Sequence, residues 1–572
     1  DTSSIHSQSF PDQQNCKPPD VEEPQSQLFP AFVSCLTSWV SSFYAKHSLW
    51  INICGFTVLF LLYNVFLGFA ISTTWKHTHS WCDGVRFLIL LTIIVYITLL
   101  YYHVFKRWLL KPLRRFFSPA TDLFARIFKY RYTSSVIWVS ILAAVIVFLI
   151  IDTKDNRSRL VSAGGLLVLL FFGYLFSAHR TKVVWRHVFW GVFLQFLFGL
   201  AILRWHVGKE VFNCISEKVK RFLEFTDYGS EFVFGYLVSG DLKDVTSKQI
   251  SVFAFSVLSV ILFFSLCISI LYYYGIMQWM VIKIGCFLQV TVGTTACESM
   301  NAAGNIFLGM TEAPLMIKPF LPIMTKSELH AVLTGGFATI AGSVLAAYVK
   351  FNVNPSHLLS ASVMSAPAAL AFSKLFYPET EESRTHAKDI KIDKGTERNA
   401  IEAATNGAST AIALVANIAA NLIAFLAFIR FLDAICTWIG LLVGWDFISF
   451  EWLLSKAFVP LAFLMGVEWN ECEQVARLIG LKTVVNEFIA YKQLGEMKTL
   501  SPRSQAIAVY ALCGFSNIGS IGIQLGALGA MAPERKSDLA SLAVRAVIAG
   551  STACFMTACV AGTLLEEVSY SI

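Results

Sequence analysis

Long apolar runs separated by short polar or basic stretches dominate the chain, at about 50–72, 86–105, 134–151, 160–178, 184–205, 250–274, 327–349, 356–375, 410–432, 503–530 and 540–565. Because a helix needs roughly 20 apolar residues to cross about 30 Å of hydrocarbon, the pattern predicts about eleven spanning helices. Stretches 209–240 and 276–293 mix charged and apolar residues at helical spacing, which predicts helices lying along the outer and inner membrane surfaces respectively. Stretches 294–322 and 459–492 are apolar enough to enter the membrane. Yet the first carries Glu298, Asn305, Glu312 and Lys318, and the second Glu468, Asn486 and Glu487. Such groups are expensive in lipid and mark function.

Composition adds a class and charge adds a topology. Of 572 residues 56% are hydrophobic and 15% charged, where soluble domains carry about a quarter charged residues. A soluble enzyme, a secreted disulfide scaffold, a collagen and a disordered chain are excluded. The net charge of +7 would suggest nucleic acid if it sat in one basic domain. Instead, Lys106, Arg107, Lys111, Arg114, Arg115, Arg126, Lys129 and Arg131 fill one connection with only Asp122 against them, which assigns it to the cytoplasm. Alternation then puts the N-terminal tail and the connections 179–182, 378–399 and 533–536 inside, and the C-terminus outside. Thirteen cysteines show no CxxC pair, so neither a zinc site nor a disulfide framework is indicated.

The two polar segments recur as units. Gly336-Phe337-Ala338-Thr339-Ile340 follows Glu312, and Gly514-Phe515-Ser516-Asn517-Ile518 follows Glu487, at offsets of 25 and 28 residues from carboxylate to phenylalanine. By the alternation the first unit enters from inside and the second from outside. Two re-entrant hairpins in inverted repeats are the build of a secondary transporter, with substrate at the midplane where broken helices meet. Gly335, Gly336, Gly342 and Gly522 are read as close helix packing, and Lys318 as a side chain snorkelling to the interface. Glu298 fits either a buried helix cap or ion coupling.

Gly304-Asn305-Ile306-Phe307-Leu308-Gly309-Met310-Thr311-Glu312-Ala313-Pro314-Leu315, Asn486-Glu487-Phe488-Ile489-Ala490-Tyr491 and Cys513-Gly514-Phe515-Ser516-Asn517-Ile518-Gly519-Ser520 strongly resemble the concentrative nucleoside transporters, over about residues 160–565. The three preceding spans look like the animal branch. The resemblance implies an all-α polytopic fold of the elevator type: a homotrimer at the plasma membrane whose subunits each carry one nucleoside in a mobile domain. It implies base contacts from Met310, Thr311 and Glu312, and ribose contacts from Glu487, Asn517 and Ser520. It implies no cofactor but a sodium ion as the coupling ion, held by Asn305, the Leu308 carbonyl, Thr339 and the Ile340 carbonyl. Read by their chemistry alone, these residues agree: carbonyls freed by unwinding suit sodium, and a carboxylate with an amide suits vicinal hydroxyls.

The expected organisation is a cytoplasmic disordered tail (1–49), three N-terminal helices with the basic loop (50–159), and scaffold helices with the outer surface helix (160–275). The first transport repeat (276–375), a cytoplasmic loop with a scaffold helix (376–458) and the second repeat (459–572) complete it. Met310 looks like the purine-preferring members, because a thioether cannot pair a pyrimidine edge as glutamine can. Ser343 and Val344 match a broader pattern, so purine preference with residual uridine is expected. Proton coupling is the near rival, and a channel or receptor the distant one. HExxH, GxSxG and P-loop patterns are missing from the sequence, so the chain is not read as an enzyme. Expected partners are nucleoside, sodium, the lipid bilayer and two further copies of the chain, with no nucleic acid.

Overall fold

The computed structural model describes residues 52–77, 80–102, 105–106, 131–240, 252–385, 397–445 and 447–566. The expected N-terminal tail and most of the basic loop lie outside the described residues. Those described form helices and connections with no strand, as chain in lipid must unless it closes a barrel. The chain divides into two units, residues 1–136 and 137–572.

In the first unit, α1 (Asn52–Thr74) and α2 (Gly84–Leu100) are joined by polar contacts within largely apolar surfaces. The Tyr63 hydroxyl lies 2.5 Å from Thr92 Oγ1, and Tyr96 donates to Asn64 Oδ1 at 3.0 Å. With lipid as apolar as the side chains, such hydrogen bonds are what distinguishes one helix partner from another.

Helix α3 (Arg131–Asp152) leads into the second unit. There α4 (Arg159–Leu175), α5 (Trp185–Gly199) and the amphipathic α6 (His206–Phe234) follow. Next come α7 (Ser259–Tyr273) and α8 (Ile276–Val292). The first polar segment starts with α9 (Ala296–Gly304) and returns through a 3-10 stretch, Ala313–Ile323, where the interior Pro319 and Pro322 deny it an α-helix. Then α10 (Lys326–Ala338) and α11 (Gly342–Lys350) form one broken span, before α12 (Pro355–Phe376) and α13 (Ala400–Leu442). The second segment repeats the plan: α14 (Phe450–Leu464) and the hairpin arms α15 (Cys472–Val484) and α16 (Glu487–Glu496) come first. A second broken span, α17 (Pro502–Leu512) with α18 (Ile518–Met531), and α19 (Lys536–Leu564) complete it. Each expected apolar run is thus helical, and among the described residues seven helices are long and apolar enough to cross a membrane.

Salt bridges and caps sort the helix ends into two groups. Arg159 pairs with Asp152 at 2.5 Å and donates to the Thr563 carbonyl at 2.9 and 2.7 Å. Arg204 pairs with Asp152 and Glu566. The ends near residues 152, 204 and 566 therefore share one side. At the other end, Ala178 N–H donates to the Phe376 carbonyl at 3.0 Å, and Arg535 donates to the Pro322 and Met324 carbonyls at 2.9 and 2.6 Å. This is the grouping that alternation requires.

The same bonds show that the hairpins are re-entrant and inverted. Glu298, at the start of the first, pairs with Lys374 at 2.5 Å, and Thr325, at its end, donates to Glu379 at 2.9 Å; both ends lie beside the end of α12. At the second, Ser501 N–H donates to Glu471 at 2.7 Å, and Arg503 reaches the Gly562 carbonyl at 2.9 Å, so its ends lie with the opposite group. The broken spans meet: a Cβ at Gly514 (φ +151) would stand 2.7 Å from the Phe337 carbonyl oxygen and 2.6 Å from Cys554 Sγ. Only glycine allows that approach.

Two sequence readings are refined. Glu298 accepts from Thr295 N–H at 2.9 Å in a capping box and pairs with buried Lys374, which realises the helix-cap alternative. Cys82, in the first unit, and Cys214, in the second, are each disulfide-bonded, which their spacing did not indicate.

Candidate functional site

Hairpin one places its carboxylate through a compact turn. After α9 ends, Leu308 N–H donates to the Gly304 carbonyl at 2.9 Å, and Glu312 and Ala313 N–H to the Gly309 carbonyl at 3.1 and 3.0 Å. Glu312 Oε2 accepts Gly309 N–H at 2.8 Å, and the side chain stays accessible. Glu487 is held differently. It opens α16 behind its cap Asn486, is 2% exposed, and accepts the Tyr348 hydroxyl at 3.1 Å and Asn517 Nδ2 at 3.0 Å. Asn517 in turn caps α18, accepting Ser520 N–H at 2.8 Å. A carboxylate with charge-assisted donors on both oxygens is fixed in position.

One cavity of about 110 Å³ brings these residues together, lined by Met310, Thr311 and Glu312 on one side and Glu487, Asn517 and Ser520 on the other. Ser343 is not on its wall, although its neighbour Val344 is. The sequence reading missed the remaining wall: Leu414, Ile418, Asn421 and Phe425 form one face of α13, and Phe515 stands at the second helix break. Asn421 could have been found as a polar residue inside an apolar run. Tyr348 could not, because its link to Glu487 spans 139 residues of sequence.

On the far side of the hairpin tip, Asn305 is fully buried and neither Oδ1 nor Nδ2 has a partner. Gly335 lies against it, with room for no Cβ. Thr339, 1% exposed, donates to the Gly335 carbonyl at 2.9 Å, so its hydroxyl lone pairs are available. Ile340 lies in the break between α10 and α11. An orphaned amide, a hydroxyl and backbone freed by unwinding form a neutral oxygen set of the kind that suits a monovalent hard cation. Among the described residues no group of three His, Cys, Asp or Glu could hold a transition metal.

Inverted hairpins, paired helix breaks and a cavity between them that holds two carboxylates define the class, a polytopic transporter fold of the elevator type. The sequence matches the descriptions "Na+ dependent nucleoside transporter N-terminus" over residues 164–237, "Nucleoside recognition" over 254–352 and "Na+ dependent nucleoside transporter C-terminus" over 357–562. It is 48% identical over 469 residues to mouse (Mus musculus) solute carrier family 28 member 3, covering 79% of this chain and 65% of the relative. It is 44% identical over 494 residues to rabbit (Oryctolagus cuniculus) sodium/nucleoside cotransporter 1, covering 83% and 73%. A solved structure of CNTnw in an inward-facing substrate-bound state superposes with a TM-score of 0.67 at 38% identity, covering 71% of this chain and 98% of that one. The chain belongs to the concentrative, sodium-dependent nucleoside transporter family. It spans 65% of the length of the mouse relative.

Proposed function

We propose that this chain is a sodium-coupled symporter that imports nucleosides, preferring purines and carrying some uridine. The observation that carries the reading is the pairing of an accessible Glu312 with a fixed Glu487 across one cavity, directly behind an orphaned Asn305. Met310, Thr311 and Glu312 contact the base. Glu487, Asn517 and Ser520 hold the ribose, and Ser343 acts from behind Val344 on the range of bases. Sodium, the co-transported substrate, is held by Asn305, Thr339 and the carbonyls of Leu308 and Ile340.

Coupling follows from the covalent shortness of the hairpin tip. Six residues separate Asn305 from Glu312, and the turn between them is tied to α11 by Gly342 N–H donating to the Phe307 carbonyl at 3.1 Å. A cation that orders Asn305 and Leu308 on one face orders Glu312 on the other, so each substrate raises the affinity for its partner. The working form is a homotrimer in the plasma membrane, with the N-terminus in the cytoplasm and the C-terminus outside. Radiolabelled adenosine and uridine uptake, in sodium and in choline at neutral pH, tests the reading. Saturable uptake that needs sodium supports it; uptake driven by protons alone favours the rival coupling.

A further inference from the structure

The second repeat contains a buried lysine that, unlike Lys374 of the first, pairs with no carboxylate among the described residues. Lys482, near the end of α15, is 0% exposed. Its Nζ donates to the Ala511 carbonyl at 2.9 Å and lies 5.8 Å from the centre of the Phe555 ring. Among the described residues it has no carboxylate in salt-bridge contact.

Its place is informative. Ala511 sits in the last turn of α17, where the helix breaks and carbonyls lose their partners. Those carbonyls are met one by one: Val509 by the Tyr491 hydroxyl at 2.9 Å, Tyr510 by Cys513 N–H at 3.3 Å, and Ala511 by Lys482. In the first repeat the end of the hairpin's first arm holds Asn305, its amide unpartnered and set beside Gly335 in the last turn of the half-helix α10. Both half-helices direct the negative end of their dipole at this point. One repeat leaves an uncharged oxygen set there, and the other supplies an ammonium.

We propose that Lys482 is a tethered cation, filling in the second repeat the position that sodium takes in the first. It is a positioning residue: it holds the end of α17, and through it the break that presents Asn517 to Glu487, without a second ion at that place. This rests on the sodium reading of Asn305 and Thr339.

The test compares Lys482→Met, which keeps volume but removes the charge, with Lys482→Ala, which opens a space the size of n-propylammonium. Uptake is measured per transporter at the cell surface, with and without 10 mM-range n-propylammonium, on the order of a weak site's affinity. Lys482→Met is expected to lose uptake at least tenfold and to ignore the amine. Lys482→Ala is expected to lose as much and to regain several-fold with the amine. Wild-type uptake by Lys482→Met would overturn the proposal, as would failure of the amine to restore a surface-expressed Lys482→Ala. If Lys482→Ala fails to reach the surface, Lys482→Met decides alone. Sodium-independent uptake by the wild type would instead defeat the coupling reading, a separate outcome read from the same assay.

Discussion

The Tyr348 hydroxyl donates to Glu487 Oε1 at 3.1 Å, so the second half of one broken helix supports the carboxylate of the opposite hairpin. The first repeat thus not only faces the second across the cavity but holds its carboxylate in place. Tyr348 is itself fully buried, its ring 4.4 Å from that of Tyr491.

Replacing Tyr348 by Phe removes that donor while keeping the ring. Hydrogen bonds to charged groups contribute about 1.5–3 kcal/mol, so the KM for nucleoside should rise roughly ten- to a hundredfold. Surface expression should change little. Uptake kinetics with an unchanged KM would show that Glu487 does not need this contact.

The two carboxylates should respond to loss of charge. Glu312→Gln and Glu487→Gln each keep shape and should reduce uptake far more than surface abundance; for the buried Glu487 the loss should be at least about 1 kcal/mol in apparent binding, the lower end for an unsatisfied buried group. If both variants transported as the wild type does, the cavity would not be the substrate site.

Thr339→Val deletes one oxygen from the cation set without changing volume much. The sodium concentration for half-maximal uptake should rise, and nucleoside affinity should fall at fixed sodium, because the two are linked. A sodium titration at two nucleoside concentrations reads both effects. A variant with the wild-type sodium titration would remove Thr339 from the ion site.

Met310 lines the cavity at 7% exposure. Met310→Gln gives the wall a donor and an acceptor, so uridine uptake should increase relative to inosine. Competition between the two labelled nucleosides measures the ratio directly. A wild-type protein that carried cytidine and thymidine as well as purine nucleosides would contradict this role.

Much of this was legible in the sequence because lipid makes the rules strict. Apolar runs had to be helices, and Glu312, Glu487 and Asn305 stood out because each is costly where it lies. The helix breaks were legible from Gly-Phe-small-Thr/Asn-Ile, and the 3-10 return of hairpin one from its prolines. The partners were not. Asn421 stands as a polar residue inside an apolar run and Phe515 within the repeat motif, but neither pattern shows that they line the cavity, and Tyr348 looks like an ordinary member of an apolar helix until packing brings it to Glu487. Lys374 was not singled out at all, since its pairing with Glu298 lies far off in sequence; it is 5% exposed. Ser343 was expected among the substrate-binding residues, but its neighbour Val344 takes the place on the cavity wall.

The central claim is that a sodium gradient does work on a nucleoside held between Glu312 and Glu487. The most direct measurement is accumulation of labelled inosine by proteoliposomes containing the purified chain under an imposed inward sodium gradient. The account predicts internal inosine above the external concentration, and its collapse when a sodium ionophore is added. Inosine that only equilibrates across the membrane, or that accumulates equally well under a proton gradient with no sodium present, would contradict it.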